Sequence, residues 1–422
     1  MTTEIKNTQA FYKTEIPSDW KIKHLGYGVK IQGGYAFKSE LFTNEGIPVI
    51  RISNIQENRV TVDEVCYNED DKFNNFLVNE GDILIAMSGA TTGKIGKYTL
   101  NQKAYLNQRV GRFLINDSRI EPDYVYHYFL YPTTLKNLLL DAMGGAQPNI
   151  ANENIERIKI PLPPLPEQKA IASVLNTADA TIQTTEKIIA QKELRKKWLM
   201  QNLLTGKIRL KGFDEEWKSV QISKLFTPVD RYIEWNENDL YNLISIRRRN
   251  GGVFFREPLF GYQIGVKKLK MVANNDFIIS KRQASHGAWA VIDEVYDQAK
   301  VSDEYDTLEI SDQSLLSVDF WKWYCQIPIL THYANVDSDG VHIEKSIFDY
   351  NFFKRRKVFI PSSMKEQKAI AQILQSVNTE ISLLKAKAEK LREQKKGLMQ
   401  QLLTGKIRLI VNEEHENNRN TN

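Results

Sequence analysis

Cysteine is scarce in this chain. It has two, Cys66 and Cys325, in 422 residues. Two cysteines build no disulfide framework, and with no CxxC pair and no Cys/His cluster a structural zinc is not expected either; a reducing cytoplasm is. Long apolar runs are missing too. None approaches the ~18 residues a membrane helix needs, and the opening MTTEIKNTQAFYKTEIPSDW has no apolar signal-peptide core. Histidines are few and scattered: His24, His127, His286, His332, His342 and His415, read as mostly structural. The signatures of several enzymes are absent. The PPL of Pro163–Leu165 has neither the leading polar residue nor the trailing aromatic of a methyltransferase [DNS]PP[YFW]. No FxGxG loop and no HExxH occurs. Ser88–Lys94, SGATTGK, imitates a phosphate-binding loop but has three residues between its glycines instead of four, and Ile95 follows where a hydroxyl should. Asp276 and Lys281 amount to half a nuclease site without an acidic partner.

Charge of one sign does not dominate either. The net charge is +5, but it is unevenly placed. Residues 1–165 hold 18 Lys+Arg against 19 Asp+Glu, residues 166–210 hold 8 against 4, residues 211–364 hold 20 against 22, and residues 365–409 hold 10 against 4. Two near-neutral blocks alternate with two basic ones. That balance permits a nucleic-acid partner without requiring one.

What the chain does have is repetition. LLTGKIRL occurs at Leu203–Leu210 and again at Leu402–Leu409. Aligned without gaps, Glu167–Leu210 and Glu366–Leu409 are identical at 21 of 44 positions. EQKAIA opens both copies. Between the ends the apolar period is kept: Ile171, Leu175, Ala178, Ile182 and Ile189 in one, Ile370, Leu374, Val377, Ile381, Leu384, Leu391 and Leu398 in the other. Steps of three and four make a heptad seam. Each copy reads as one helix of roughly 38 residues, about 57 Å long, with an apolar stripe too narrow to stand alone. Pro166 suits a first helical position. Ser363-Met364-Lys365-Glu366 has the pattern of a capping box, and Gly206 and Gly405 that of left-handed C-caps.

The blocks before the helices echo each other faintly. DWK at Asp19–Lys21 answers EWK at Glu216–Lys218, and DYVYHYFLYP at Asp123–Pro132 answers DFWKWYCQIP at Asp319–Pro328. The chain is therefore a tandem duplication of about 200 residues, far longer than a solenoid repeat. Short β-branched runs mixed with aromatic helical segments make each block α+β. Like helices packed across a two-fold perpendicular to them run antiparallel. That arrangement puts the two blocks at most about 57 Å apart, or about 17 base pairs. The expected order is domain 1 over 1–160, helix over 161–210, domain 2 over 211–360, helix over 361–409, and a disordered tail over 410–422. With no third block after the second LLTGKIRL, a circular arrangement requires Lys406–Leu409 to pack beside the first block.

Several phrases resemble the specificity subunit of type I restriction-modification systems. They are IPLPPLPEQKAIA (Ile160–Ala172), its echo IPSSMKEQKAIA (Ile360–Ala371), the doubled LLTGKIRL, GGYAFKS (Gly33–Ser39), IRISNI (Ile50–Ile55) and GDILIAMSGATTGKIG (Gly81–Gly96). The resemblance covers essentially the whole length. It implies two target recognition domains, each reading half of an interrupted site on double-stranded DNA, and two spacer helices that dock two adenine-N6 methyltransferase subunits. It also implies two restriction subunits in the full complex. S-adenosylmethionine, ATP and Mg would belong to those partners, with no cofactor and no catalytic residue in this chain. The second block departs from the pattern: GGYAFKS has no clear counterpart, and Lys281-Arg282-Gln283 replaces MSG.

Candidate DNA contacts follow from residue chemistry. Tyr35 and Lys38, with Phe37, put aromatics and a cation beside flexible glycines, although Tyr35 and Phe37 also read as core residues. Ser88, Thr91, Thr92 and Lys94 form a hydroxyl-rich loop after a strand. Asn107, Gln108 and Arg109 carry the side chains that pair with adenine and guanine edges. In the second block Arg247, Arg248 and Arg249 precede a glycine pair, followed by Lys267, Lys268, Lys270, Lys281, Arg282 and His286. The plain alternative for each is a solvated turn. Lys354–Lys357 is a further basic run before the second helix, suited to DNA, solvent or an acidic partner. Trp198 stands where the other helix has Gly397, so the two helix surfaces differ. A DNA-binding scaffold is the leading reading; a self-contained enzyme and a protein-binding coiled-coil adaptor are the alternatives.

Overall fold

The structure, a computed structural model, describes residues 8–12, 14–56, 58–141, 149–339 and 347–409. The tail over 410–422, His342 and His415 lie outside them. The chain forms two units, residues 1–185 with 387–422, and residues 186–386.

In the first unit an antiparallel sheet runs Ile95–Lys97, Ile83–Ala86, Val110–Ile115, Val29–Gly33. The ILIA strand is buried along its whole length, and period two explains how. Ile83 and Ile85 face one core with Tyr124 and Phe129, while Leu84 and Ala86 face another with Ile50, Tyr98 and Leu106. A second sheet, Cys66–Tyr67, Ile47–Ile50, Ala104–Leu106, Leu77–Val78, contains one parallel pairing, Val49 opposite Tyr105. Helices Pro122–Leu130 and Pro132–Asp141 follow.

The second unit repeats this plan. Its sheet runs Trp289–Val291, Phe277–Ser280, Tyr305–Ile310, Phe226–Pro228, in the same order relative to sequence. Phe277 and Ile279 again face one core and Ile278 the other. Helices Val318–Tyr324 and Pro328–Val336 follow. Each unit also has a long-range pair of strands leading to its helix, Lys21–His24 with Lys159–Leu162 and Trp217–Gln221 with Lys357–Pro361.

The expected long helices are Leu165–Leu203 and Met364–Leu402, 39 residues each. Pro166 is the second residue of its helix, one place later than expected. In the first unit Ile171 and Leu175 share a core with Met399, Leu402 and Leu403. In the second, Leu203 and Leu204 share one with Ile370 and Leu374. In each unit the two helices thus run in opposite directions. Burying Ile171 and Leu175 completely contributes about 1.5–3 kcal/mol each.

The seam is less apolar than its heptads imply. Thr185 and Lys395 are buried in it. Lys395 Nζ bonds both carboxylate oxygens of Asp179 at 2.6 and 2.7 Å. The equivalent pair in the other unit is Lys196 Nζ to Asn378 Oδ1, 2.7 Å. Surface pairs Lys192–Glu380 and Lys385–Glu193 add to it.

Both glycines that close the helices are left-handed, φ +70° at Gly206 and +68° at Gly405. Ile208 N–H returns to the Asn202 carbonyl and Ile407 N–H to Gln401, both 3.2 Å.

Candidate nucleic-acid interface

The three phrases singled out in the first block meet in space. Tyr35 N–H donates to the Leu106 carbonyl (2.9 Å) and Gln108 N–H to the Tyr35 carbonyl (2.8 Å), so Tyr35 lies beside Asn107 and Gln108. Gly34 makes this approach possible, since a Cβ there would stand 2.2 Å from the Leu106 carbonyl oxygen. Met87 N–H donates to the Arg109 carbonyl, 2.9 Å, which brings the loop from Ser88 alongside. Tyr35 is 40% exposed yet packs edge-on against Phe37. Phe37 itself is core, buried with Val49, Phe73 and Tyr105. Lys38, Lys94, Gln108 and Arg109 are exposed.

The hydroxyls of the loop are partly engaged. Thr91 Oγ1 donates to the Ile52 carbonyl (3.0 Å) and Thr92 Oγ1 to Gly89 (2.6 Å). The amides of Thr92, Gly93 and Lys94 go to the carbonyls of Gly89, Ala86 and Thr91. A phosphate cradle needs those amides free, so the loop is not one. Ser88 Oγ is buried with no hydrogen-bond partner among the described residues.

In the second unit the basic residues fall into two groups. Lys268, Lys270, Lys281 and Arg282 are committed to acids. Lys268 and Lys270 reach Asp303 at 3.2 and 3.5 Å, Lys270 also Asp230 at 2.6 Å. Lys281 pairs with Asp306 at 3.5 Å and Arg282 with Glu304 at 2.7 Å. Asp303 is held down to about 2, first by the hydroxyl of Tyr232 and then by Lys268 and Lys270. The other group is open. Arg247, Arg248 and Arg249 are exposed on a turn that leans on the Gln283–Gly287 segment. Arg249 N–H donates to His286 (2.7 Å), Asn250 N–H to Gly287 (3.0 Å), and Arg248 Nε to Gln283 Oε1 (2.5 Å). Lys267 lies over the Trp235 ring at 4.8 Å. Gln283 is not among the candidate contacts of the sequence; nothing in the one-dimensional pattern puts it under an arginine turn 35 residues away.

Asp276 and Lys281 are each engaged with other residues. Asp276 accepts from Arg231 Nη1 at 2.6 Å and from the Ala273 amide at 2.7 Å, while Lys281 is engaged with Asp306 and the Asp303 carbonyl. Among the described residues, no group of three or more His, Cys, Asp or Glu is placed to hold a metal, and no helix is long and apolar enough to cross a membrane.

Each unit closes through one joint that sequence reasoning did not specify. In the second, Glu366 accepts from Arg209 Nε (2.6 Å) and Nη2 (2.8 Å) and from Trp217 Nε1 (3.4 Å). That carboxylate is buried, so it takes the guanidinium rather than the capping-box role expected beside Ser363. In the first, Glu167 accepts from Arg408 Nε and Nη2, both 2.8 Å, and from Trp20 Nε1 at 3.3 Å. Asp19 adds a second carboxylate to Arg408, at 2.9 Å. Ile407 and Leu409 pack on the same core, so Lys406–Leu409 meets the first block as circular connectivity requires. The glutamines beside the glutamates work alike. Gln168 bonds the Pro163 and Arg119 carbonyls and the Glu121 amide; Gln367 bonds those of Pro361, Leu315 and Ser317.

One difference between the units is chemical. His127, fully buried, has Nε2 2.8 Å from Asn176 Oδ1 and Nδ1 4.0 Å from Asp179 Oδ2. Burial and the nearby Lys395 push its imidazole down to about 4. Its counterpart is Trp323, whose ring lies 4.9 Å from Lys196 Nζ.

The chain is similar to several known proteins. Residues 17–194 match the family model described as "Type I restriction modification DNA specificity domain". The type I restriction enzyme MjaVIII specificity subunit of Methanocaldococcus jannaschii is 34% identical over 207 residues, 47% of this chain and 49% of that protein. The putative type I restriction enzyme MjaX specificity subunit of the same organism is 28% identical over 94% of this chain and 97% of its own length. The EcoBI specificity subunit of Escherichia coli is 27% identical over 52% of this chain and 45% of its own. The matched region thus spans about half the length of the MjaVIII and EcoBI subunits. The crystal structure of a type I restriction-modification S subunit from M. genitalium shares the fold, with TM-score 0.57 at 15% identity, over 93% of this chain and 98% of that one. A chain from a structural study of type I system assembly and conformational transition does so too, with TM-score 0.57 at 16% identity, over 93% and 100%.

Proposed function

We propose, from the premise that this chain belongs to the specificity-subunit family of type I restriction-modification systems, that it selects the DNA site for a complex whose catalysis lies in other subunits. Each unit reads one half of an interrupted site on double-stranded DNA. The paired helices fix the distance between the halves and dock two methyltransferase subunits; two restriction subunits complete the assembly. S-adenosylmethionine, ATP and Mg are supplied there, in the cytoplasm, and this chain contributes no catalytic residue.

The observation that carries this reading is the doubling. The first unit matches a DNA specificity domain, and the second rebuilds its sheet order and its Glu–Arg–Trp joint from diverged sequence. Conserving the frame while varying the block is what a reader of two different half-sites requires.

The test is to assemble the chain with its methyltransferase subunits and map methylated adenines across a genome. A two-part motif with a fixed gap is expected. Exchanging residues 211–364 for those of another family member changes one half only; a change in both halves refutes one unit per half-site. Methyl transfer to DNA by the chain alone with S-adenosylmethionine supports the enzyme alternative instead.

A further inference from the structure

The strands Ile244–Ile246 and Val253–Phe255 form a hairpin, Ile246 opposite Val253, closed by residues 247–252. At its tip Arg249 and Asn250 have φ +58° and +54°. Two successive positive φ values are what a tight reversed turn demands; asparagine and glycine accept them readily and arginine does not. The position is nonetheless held from beneath. Arg249 N–H donates to the His286 carbonyl, Asn250 N–H to Gly287, Gly251 N–H to Arg248 (3.2 Å), and Asn250 Nδ2 to the Gln326 carbonyl (3.4 Å).

The three arginines differ in what their side chains do. Arg247 stacks its guanidinium on Phe254, 4.2 Å from the ring centroid. Arg248 donates to Gln283. Arg249 is exposed, and among the described residues its guanidinium has no hydrogen bond, ion pair or ring contact. A phosphate is served by any cation near enough, on a mobile stem. A base edge is read by a fork held at a fixed angle. The clamped backbone fixes the place and direction from which the Arg249 side chain leaves the turn, and its guanidinium gives up no contact among the described residues when it meets a base edge.

We infer that Arg249 is a guanine-reading residue of the second unit. Its guanidinium donates two parallel hydrogen bonds to O6 and N7 of one guanine in the major groove, with Arg247 and Arg248 flanking it at the backbone. This rests on the DNA-reading function proposed above.

The test selects duplexes from a pool with randomised half-sites, using the full chain assembled with its methyltransferase subunits, as wild type, Arg249→Asn and Arg249→Lys. Asparagine suits the left-handed position better than arginine, so that variant keeps the turn. Wild type selects guanine at one position of one half-site. Arg249→Asn loses that preference by about 5- to 150-fold while every other position is unchanged, and Arg249→Lys, which still donates to O6 or N7 but without the planar fork, loses less of it. If Arg249→Asn still selects the same guanine, the inference is wrong. If it weakens binding equally on all sequences and lowers the salt slope by about one, Arg249 is a phosphate contact and the inference is again wrong. If the wild type yields no consensus at all, the DNA-reading function itself falls, which the first two outcomes leave standing.

Discussion

Glu167 and Arg408 lie 241 residues apart and share two hydrogen bonds of 2.8 Å. One belongs to the first EQKAIA, the other to the second LLTGKIRL. Glu366 and Arg209 exchange the roles in the second unit. The two recurring phrases are thus two sides of one contact, and each copy serves the other copy's partner. Glu167 is 6% exposed at its side chain, and removing its guanidinium leaves a buried carboxylate whose remaining donors among the described residues are the Trp20 indole and the Leu409 amide. Arg408→Ala is expected to destabilise the first unit by about 3–5 kcal/mol. Arg408→Ala with Glu167→Leu should recover much of that, because the orphan charge is gone. Chemical denaturation of the two variants and the single Glu167→Leu measures the cycle; an Arg408→Ala loss below about 1 kcal/mol would refute the joint.

The His127 environment predicts a pH dependence. Facing the ring are Asn176, Asp179, Asp123 and Lys395. The folded value is near 4 and the unfolded one about 6.5. The unfolded chain therefore binds the extra proton between those values. The stability associated with a neutral His127 is complete above about pH 6.5 and is lost as pH falls towards 4, a change on the order of 3 kcal/mol. Comparing wild type with His127→Phe isolates it from the carboxylates. The difference between their unfolding free energies should be constant above pH 7 and should shift in favour of the variant between pH 6.5 and 4. A flat difference across that window would show that His127 is solvated or already charged.

The frame of the protein was legible in the sequence because repetition is a one-dimensional signal. Identical phrases 199 positions apart revealed the duplication, and steps of three and four revealed the helices. Burial of Ile171, Leu175, Ile370 and Leu374 follows from that period directly. The seam's polar interior was not legible: Lys395 and Asp179 meet only once two helices are set side by side, and heptad counting asks for apolar residues alone. The same holds at the candidate interface. The neighbourhood of Tyr35 and Asn107 depends on a close approach at Gly34 and that of Ser88 on the Met87–Arg109 bond, and the division of the second unit's cations depends on where Asp303, Glu304 and Asp306 fall after folding. Local charge density treats Lys268 and Arg248 alike; the fold neutralises one and leaves the other open.

The seam carries its own test. Lys395–Asp179 joins two charges, whereas Lys196–Asn378 joins a charge to a neutral amide. In double-mutant cycles to alanine both pairs should couple, within about 0.5–3 kcal/mol, and the ionic first pair by more than the second. Asp179→Asn makes the first pair like the second and should lower its coupling to the second pair's value. Equal couplings in the unmodified pairs would mean that solvent screens Asp179 fully.

The division of cations in the second unit predicts how DNA affinity responds to salt, given the DNA-reading function proposed above. A cation already paired with a carboxylate displaces few counterions when a phosphate arrives, because the acid remains beside it. Arg282, with both its Nε and Nη2 on Glu304, and Lys268, on Asp303, are in that condition. Arg248, tied among the described residues to a neutral glutamine and to no acid, is not. Arg248→Ala should lower the slope of log K against log salt by about one and weaken binding to all sequences alike. Arg282→Ala and Lys268→Ala should leave the slope nearly unchanged. Fluorescence anisotropy over about 50–200 mM salt reads all three. If Arg282→Ala lowers the slope as much as Arg248→Ala, the carboxylates release their cations on binding, and the acidic residues Asp303 and Glu304 then become the next positions to neutralise, with tighter and less selective binding as the expected result.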